Sequence, residues 1–275
     1  MQNAVSSIRS RHLIAAVSAV LLAGGCAPAS YSGGDALVAS AGTSVKTAVA
    51  TAYMEASTVS LALDRIDQRA LPLDKTYRHF GSGRGVTVYV FDGGVLETHP
   101  ELEGRVRRGY DAFPNEDHLC NAHGTAVAGA VAGTTLGVAP DAEIVDVKMV
   151  ECRRMRGTID AIVRGAKWVL ADAARHPDRR AIANWSFIAD TASSLPALDA
   201  AVKELLDAGI PVVVSAGNLE TDACHVSPAN APGSIVVGAS RVHRVGTAAN
   251  PLLADQVAEL FREHKCISMA TLCTF

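Results

Sequence analysis

Apolar and β-branched residues gather in five short runs along the chain, each bounded by glycine or polar residues. In order, they are "GVTVYVFDGG" (85–94), "EIVDVKMV" (143–150), "AIANWSF" (181–187), "IPVVVSAGN" (210–218) and "SIVVGAS" (234–240). Runs of this length and composition are typical of buried strands. We therefore predict five strands, most of them covered on both faces as in a parallel sheet.

Segments with a helical spacing of apolar residues lie between these runs. Apolar residues recur every three or four positions from Ile159 to Leu170, behind Thr158, a residue type that caps helices well. Segment 196–209 begins with proline and ends with glycine, as helices often do. Alternating strands and helices indicate an α/β fold with a mostly parallel central sheet and helices on its faces.

Three polar residues are expected at the carboxyl edge of this sheet. Asp92 follows the first strand, Asn218 follows the fourth, and His123 opens the small-residue stretch "HGTAVAGAVAG", which can pack tightly on the sheet as a helix. Because ligands bind at the carboxyl edge of such sheets, we expect the three residues to face one site. A carboxylate, an imidazole and a carboxamide suit acyl transfer, which also needs a hydroxyl, and Ser268 can supply it.

Each group has a defined role in that chemistry. A serine hydroxyl needs a base to accept its proton, and neutral imidazole is suited to this near pH 7. A buried carboxylate holds the imidazole in one tautomer and stabilises its cation. A fixed amide stabilises the negative charge that develops on the substrate oxygen. The reaction needs no cofactor.

Seven blocks of the chain resemble the subtilisin-like serine proteases of the proteinase K type, in the family's order. They are "LDRIDQRALPLDKTY" (63–77), "VYVFDGGVLETHPELEGRV" (88–106), "HGTAVAGAVAGTTLGVAP" (123–140), "NWSF" (184–187), "SAGN" (215–218), "DACHVSPANAP" (222–232) and "IVVGAS" (235–240). As a set these motifs are highly specific. The resemblance implies a subtilisin-like three-layer fold and hydrolysis of peptide bonds.

Residue by residue, the resemblance implies an Asp-His-Ser triad. Asp92 matches the family's catalytic aspartate, His123 its general base and Asn218 its oxyanion-hole amide. Ser268 is the candidate nucleophile because it begins the tripeptide Ser-Met-Ala, a common setting for a hydrolytic serine. The segment "NWSF" would pair with the substrate backbone. A structural calcium ion, held partly by carbonyls near "SPANAP", is also implied. Its carboxylate ligand would lie in the part that does not match.

The sequence also departs from the family pattern. Gly93 stands where relatives have a hydroxyl that helps to orient the aspartate, and Ala126 replaces a histidine. After Ser240 the family's landmarks are missing, and 250–264 has the pattern of an amphipathic helix. Seven residues follow Ser268, too few for the buried helix that the family's serine begins. We therefore expect the carboxyl-terminal part of the fold, from 241, to be divergent and incomplete.

Residues 1–26 have the layout of a bacterial export signal, with basic residues before a short apolar run. The stretch "LLAGGC" resembles a lipoprotein processing site, in which Cys26 would carry the lipid. Both a cell-envelope lipoprotein and plain secretion fit this pattern. Residues 27–57, rich in small residues, are interpreted as a linker or remnant pro-segment, and 58–275 as the peptidase domain.

Export would bring the remaining cysteines into an oxidising compartment, where pairing is the default. We predict a disulfide between Cys120 and Cys152, which flank the same βα unit and resemble a pair found in some relatives; two free core thiols are the alternative. Cys224, Cys266 and Cys273 leave an odd number.

Composition narrows the range of partners. The net charge of -3 gives no general reason to bind nucleic acid. We expect a monomer that acts on protein or peptide substrates. The histidines His99, His118 and His123 lack the spacing of a zinc site.

Three hypotheses follow for function. The first is an exported serine endopeptidase that forms an acyl-enzyme on Ser268. The second is a catalytically impaired, truncated relative that at most binds peptides along "NWSF". The third is a structural envelope lipoprotein that keeps a protease fold.

Overall fold

The structure is a computed structural model that describes residues 54–58, 60–70, 72–189, 195–218 and 221–239. Its strands are β1 (Met54–Ser57), β2 (Thr76–His79), β3 (Val86–Asp92), β4 (Val106–Asp111), β5 (Glu143–Lys148), β6 (Val150–Glu151), β7 (Arg156–Gly157), β8 (Arg180–Trp185), β9 (Val212–Ser215) and β10 (Ile235–Val237). Its α-helices are α1 (Leu61–Ile66), α2 (His123–Ala132), α3 (Ile159–Ala174) and α4 (Pro196–Asp207). A short 3₁₀ helix spans Ala223–His225.

Six of the strands form one parallel sheet in the order β10-β9-β8-β3-β5-β4. Strand β3 lies inside the sheet between β8 and β5, with Val90 opposite both Asn184 and Asp146. All but the first residue of β3 are buried, which accounts for its apolar composition. The predicted mostly parallel α/β fold is confirmed.

Helices cover both faces of this sheet. Helix α2 packs on one face, in a cluster that includes Val88, Val90 and Val127. Helices α3 and α4 pack on the other face, around Phe91 and Trp185. Side chains alternate between the two faces along a strand, so β3 sends its even-numbered residues toward α2.

The predicted helices are found with small shifts in their ends. Thr158 caps α3 by accepting a hydrogen bond from the N–H of Ala161. Helix α4 has proline in its first turn, and Gly209 follows it with φ of +77°. The predicted helix 250–264 lies outside the described residues.

Other elements were not predicted. Strand β4 has the sequence "VRRGYD", which lacks the apolar run that predicts a buried strand. Strand β1 pairs antiparallel with β2, so the last residues of the predicted linker, 54–57, belong to a two-stranded sheet. The short strands β6 and β7 also pair antiparallel.

Candidate active site

Asp92 and His123 meet at the carboxyl end of β3. Nδ1 of His123 lies 2.7 Å from Oδ2 of Asp92, and the N–H of Gly93 donates to Oδ1 of the same carboxylate over 2.7 Å. A carboxylate only accepts hydrogen bonds, so Nδ1 is the protonated nitrogen of a neutral His123. The other nitrogen, Nε2, is thereby left with its lone pair.

The two side chains differ sharply in exposure. The Asp92 side chain is 6% exposed, whereas the His123 side chain is 48% exposed. The hydrogen bond to Asp92 raises the pKa of His123 above its ordinary value, and burial opposes this shift. A buried acceptor and an open imidazole form the arrangement that a general base requires.

A glycine at the start of α2 lets the helix approach Asp92. A Cβ on Gly124 would stand 2.9 Å from the Cβ of Asp92 and 3.1 Å from its Cγ, too close for either to remain in place. The stretch of small residues that follows keeps the helix against the sheet, with Ala128 and Ala132 fully buried. Close packing of α2 therefore sets the separation of the two side chains.

The loop before His123 is fixed to the turn after Asp92. The N–H of Cys120 donates to the carbonyl of Gly93 over 2.9 Å, and the N–H of His123 donates to Oδ1 of Asn121 over 2.8 Å. Cys120 also forms a disulfide with Cys152. The predicted disulfide is confirmed, and it ties this loop to the segment that follows β6. Cys224 is disulfide-bonded as well.

An open pocket of about 390 Å³ lies beyond the carboxyl ends of β5 and β8. It begins at Met149, whose N–H donates to the carbonyl of Asp92 over 2.9 Å. The residues that follow β8 form another wall, through Phe187 and Ile188. Most of the lining is apolar, with Arg156 as a charged member. Such a pocket can receive an apolar side chain of a bound chain.

The remaining predicted site residues are only partly described. Asn218 follows β9 and is exposed, at the carboxyl edge of the sheet where Asp92 also lies. Gly217, just before it, has φ of +87°, a conformation that favours glycine. Ser268 and the possible lipid site Cys26 lie outside the described residues.

A second aspartate–histidine pair was missed by reasoning from sequence. Nε2 of His118 lies 2.7 Å from Oδ2 of Asp146, a fully buried carboxylate on β5. The available signal was an aspartate inside the apolar run "EIVDVKMV". A charge in a buried strand requires a partner, and no sequence spacing pointed to His118 as that partner.

The described residues form neither a metal cluster nor a membrane-spanning helix. Within the described ranges, no group of three or more His, Cys, Asp or Glu side chains is placed to hold a metal ion. The expected calcium site depends on a ligand from the part beyond Ser240, so it stays a prediction. Across the described part of the chain, no helix has the length and apolar character needed to cross a bilayer.

Residues 83–259 match the profile of the subtilase family. The chain belongs to the subtilase family. It is 41% identical over 191 residues to the extracellular serine proteinase of Thermus sp. (strain Rt41A), an alignment that covers 69% of this chain and 45% of the relative. It is 39% identical over 180 residues to alkaline serine exoprotease A of Vibrio alginolyticus, covering 65% of this chain and 32% of the relative.

A solved structure agrees with these relatives. The crystal structure of a cold adapted subtilisin-like serine proteinase aligns with a TM-score of 0.57 and 40% identity, over 64% of this subtilase and 62% of that chain. The subtilisin-like fold expected from the motifs is thereby confirmed. The subtilase spans about half the length, or less, of the two curated relatives named above.

Proposed function

We propose that this subtilase is an exported serine endopeptidase in which Asp92 and His123 activate a serine hydroxyl. The contact of 2.7 Å between Nδ1 of His123 and Oδ2 of Asp92 is the observation that carries the proposal. It leaves Nε2 of a half-exposed ring free to accept a proton from a hydroxyl. Ser268 is the proposed nucleophile.

In this mechanism His123 takes the proton of the serine hydroxyl as the oxygen attacks the substrate carbonyl. Asp92 stabilises the imidazolium that forms and keeps the ring in one tautomer. Asn218 would donate its amide to the oxygen that becomes negative. His123 then returns the proton to the leaving amine, and water repeats the sequence on the acyl-enzyme.

Substrate recognition is proposed to use the edge at "NWSF" and the pocket beside it. The N–H of Ala189 donates to the carbonyl of Ser227 over 2.9 Å, which anchors the segment after β8 to the chain beyond Asn218. Phe187 stacks on Trp185 with a centroid separation of 5.5 Å. An apolar wall that includes Phe187 suits an extended peptide with a large apolar side chain.

Active-site labelling tests this function. Purified full-length chain would be treated with a fluorophosphonate probe, and the labelled peptide would be identified by mass spectrometry. We expect the label on Ser268, hydrolysis of a protein substrate, and loss of both in His123→Ala. Label on another serine would reassign the nucleophile. A folded chain that is neither labelled nor active would favour the impaired, peptide-binding alternative.

Export and anchoring are tested separately. We propose that residues 1–26 direct export, in keeping with the extracellular relative from Thermus. Expression in a bacterial host with and without globomycin distinguishes the two routes. A diacylglyceryl group on Cys26 and globomycin-sensitive processing would show anchoring, whereas an unmodified chain in the medium would show plain secretion.

A further inference from the structure

Asp146 is a carboxylate buried within the central sheet. It is 1% exposed, and it stands opposite Val90 on β3, two residues before Asp92. Burial is the largest influence on this group and raises the pKa of Asp146, with a smaller contribution from the charge of Asp92. A buried carboxylate of this kind is costly to the fold unless it is paired.

One oxygen of Asp146 makes both of its contacts. Oδ2 accepts a hydrogen bond of 3.0 Å from the N–H of Val95 and lies 2.7 Å from Nε2 of His118. The contact with His118 is a close ion pair when the ring is protonated, rather than a well-directed hydrogen bond. Oδ1 has no hydrogen-bond partner among the described residues.

These two partners belong to the segments that carry the proposed catalytic groups. Val95 closes the turn directly after Asp92, and His118 lies in the loop that leads to His123. The two segments also touch each other: the carbonyl of His118 packs against the Cα of Gly94, where a Cβ would collide with it. Gly94 has φ of +103°, so both its conformation and its space exclude a side chain.

We propose that His118 and Asp146 form a positioning pair, which holds the turn behind Asp92 against the loop that leads to His123. The buried carboxylate of Asp146 contacts both segments inside the protein, through Val95 and His118. Asp92 and His123 join the same segments nearer the surface. This inference rests on the proposed function, because the alignment of Asp92 with His123 matters when His123 transfers a proton. A small displacement of either group would reduce the rate strongly.

The charges around His118 favour its protonated form. Nδ1 lies 3.7 Å from Oδ2 of Asp111, so carboxylates of β4 and β5 lie on two sides of the ring. Arg108 opposes them, and Lys148 lies 3.3 Å from the other oxygen of Asp111. The net effect, led by Asp146, is a raised pKa of His118.

The test uses the Nδ1 proton of His123 as its readout. In full-length chain labelled with ¹⁵N-histidine, this proton is assigned by its absence in His123→Ala, and its exchange with water is measured. We expect exchange at least about ten-fold faster in Asp146→Asn, because the two segments separate more often. His118→Gln should change it in the same direction. If the chain hydrolyses peptides, both variants should lower kcat and leave KM nearly unchanged.

Asp172→Asn is the matched control. Asp172 is a buried carboxylate on α3 that accepts from the hydroxyl of Tyr89 and from Arg107, on the other face of the sheet. Its loss should destabilise the fold without changing the exchange of the His123 proton. Equal exchange of the His123 proton in Asp146→Asn and Asp172→Asn, at matched unfolding free energy, would overturn the proposal.

If Asp146→Asn does not fold, the same comparison is made between His118→Gln and Asp172→Asn. The resonance is read without substrate, so an inactive chain would refute the proposed function and leave this test intact.

Discussion

The two aspartate–histidine pairs of this subtilase consist of the same residue types and differ in the exposure of the histidine ring. Each holds its carboxylate at a distance of 2.7 Å from an imidazole nitrogen, and both carboxylates are almost completely buried. The difference lies in the rings: the His123 side chain is 48% exposed, and that of His118 is 18% exposed. His118 also has a second carboxylate, Asp111, near its other nitrogen.

Exposure therefore separates what the two pairs can do. His123 keeps one nitrogen free to accept a proton, because Asp92 occupies the other. His118 has a carboxylate near each nitrogen, at 3.7 Å and 2.7 Å, and its ring is much less exposed, so a reacting group has little access to it. An aspartate beside a histidine thus indicates a catalytic pair only when the outer nitrogen can reach solvent.

The largest effect should come from exchanging a carboxylate for an amide in the exposed pair. In Asp92→Asn the amide no longer holds His123 in the required tautomer, and kcat should fall about 10⁴-fold. The same exchange in Asp146 should lower kcat much less, because Asp146 contacts His118 and Val95 and not His123. Steady-state hydrolysis by the two variants measures this difference.

An equal loss of kcat in the two variants would show that the pairs are not distinct in function. Unfolding in urea serves as the control for both, since the midpoint reports any loss of folded protein. Asp92→Asn should remain folded under the assay conditions.

Removing the disulfide should weaken the support that both pairs share. Cys120 lies between the two histidines, and its bond to Cys152 closes a loop with a sequence separation of 32. The entropy of closing such a loop predicts a loss of about 3–4 kcal/mol in the double variant Cys120→Ser, Cys152→Ser. Urea unfolding of the variant under oxidising conditions measures it.

Reductant offers a check on this result. With reductant, the original chain should be as stable as the equally treated double variant, because the disulfide of Cys224 is then reduced in both. A double variant as stable as the original would mean that the loop is held by its hydrogen bonds alone.

The smallest effect should appear in the pH dependence of stability. Carboxylates raise the pKa of both histidines above the ordinary value of 6.5, with Asp92 acting on His123 and Asp146 on His118. The folded chain then binds protons more tightly than the unfolded chain, so this stabilisation is complete below pH 6.5 and is lost as pH rises through the raised values. Activity should rise over the same range, because His123 must be neutral to accept a proton.

Urea unfolding between about pH 6 and about pH 9 separates the two contributions. His118→Gln should reduce the slope of the unfolding free energy against pH. The slope that remains should be the contribution of His123. A slope that is the same in His118→Gln and the original chain would mean that His118 does not keep its proton more tightly in the folded state.

The elements of the sheet could be predicted where burial leaves a regular pattern. The strand that ends in Asp92 is apolar because both its faces are covered, and Asp92 was found because it interrupts that pattern at the carboxyl end. Strand β4 escaped prediction since it lies at the edge of the sheet and carries Arg107 and Arg108, which are paired with acidic residues.

The second pair could not be predicted because its members come from separate elements. His118 belongs to a loop without regular spacing, and Asp146 sits among the apolar residues of β5. Their meeting depends on how the loop crosses the end of the sheet, a tertiary feature that local pattern does not encode. Asp92 and His123 could be grouped because both are expected at the carboxyl edge of the sheet, and the family's motifs then imply their roles.

The narrow space at Gly124 has a consequence for how this chain can vary. One turn of α2 contains both a position with no room for any side chain and, at Ala126, an exposed position. A side chain added at Gly124 should therefore be destabilising, whereas substitutions at Ala126 should be tolerated. In sequences that descend from this one, residues on the exposed side of α2 should vary, and residues on its buried side should not.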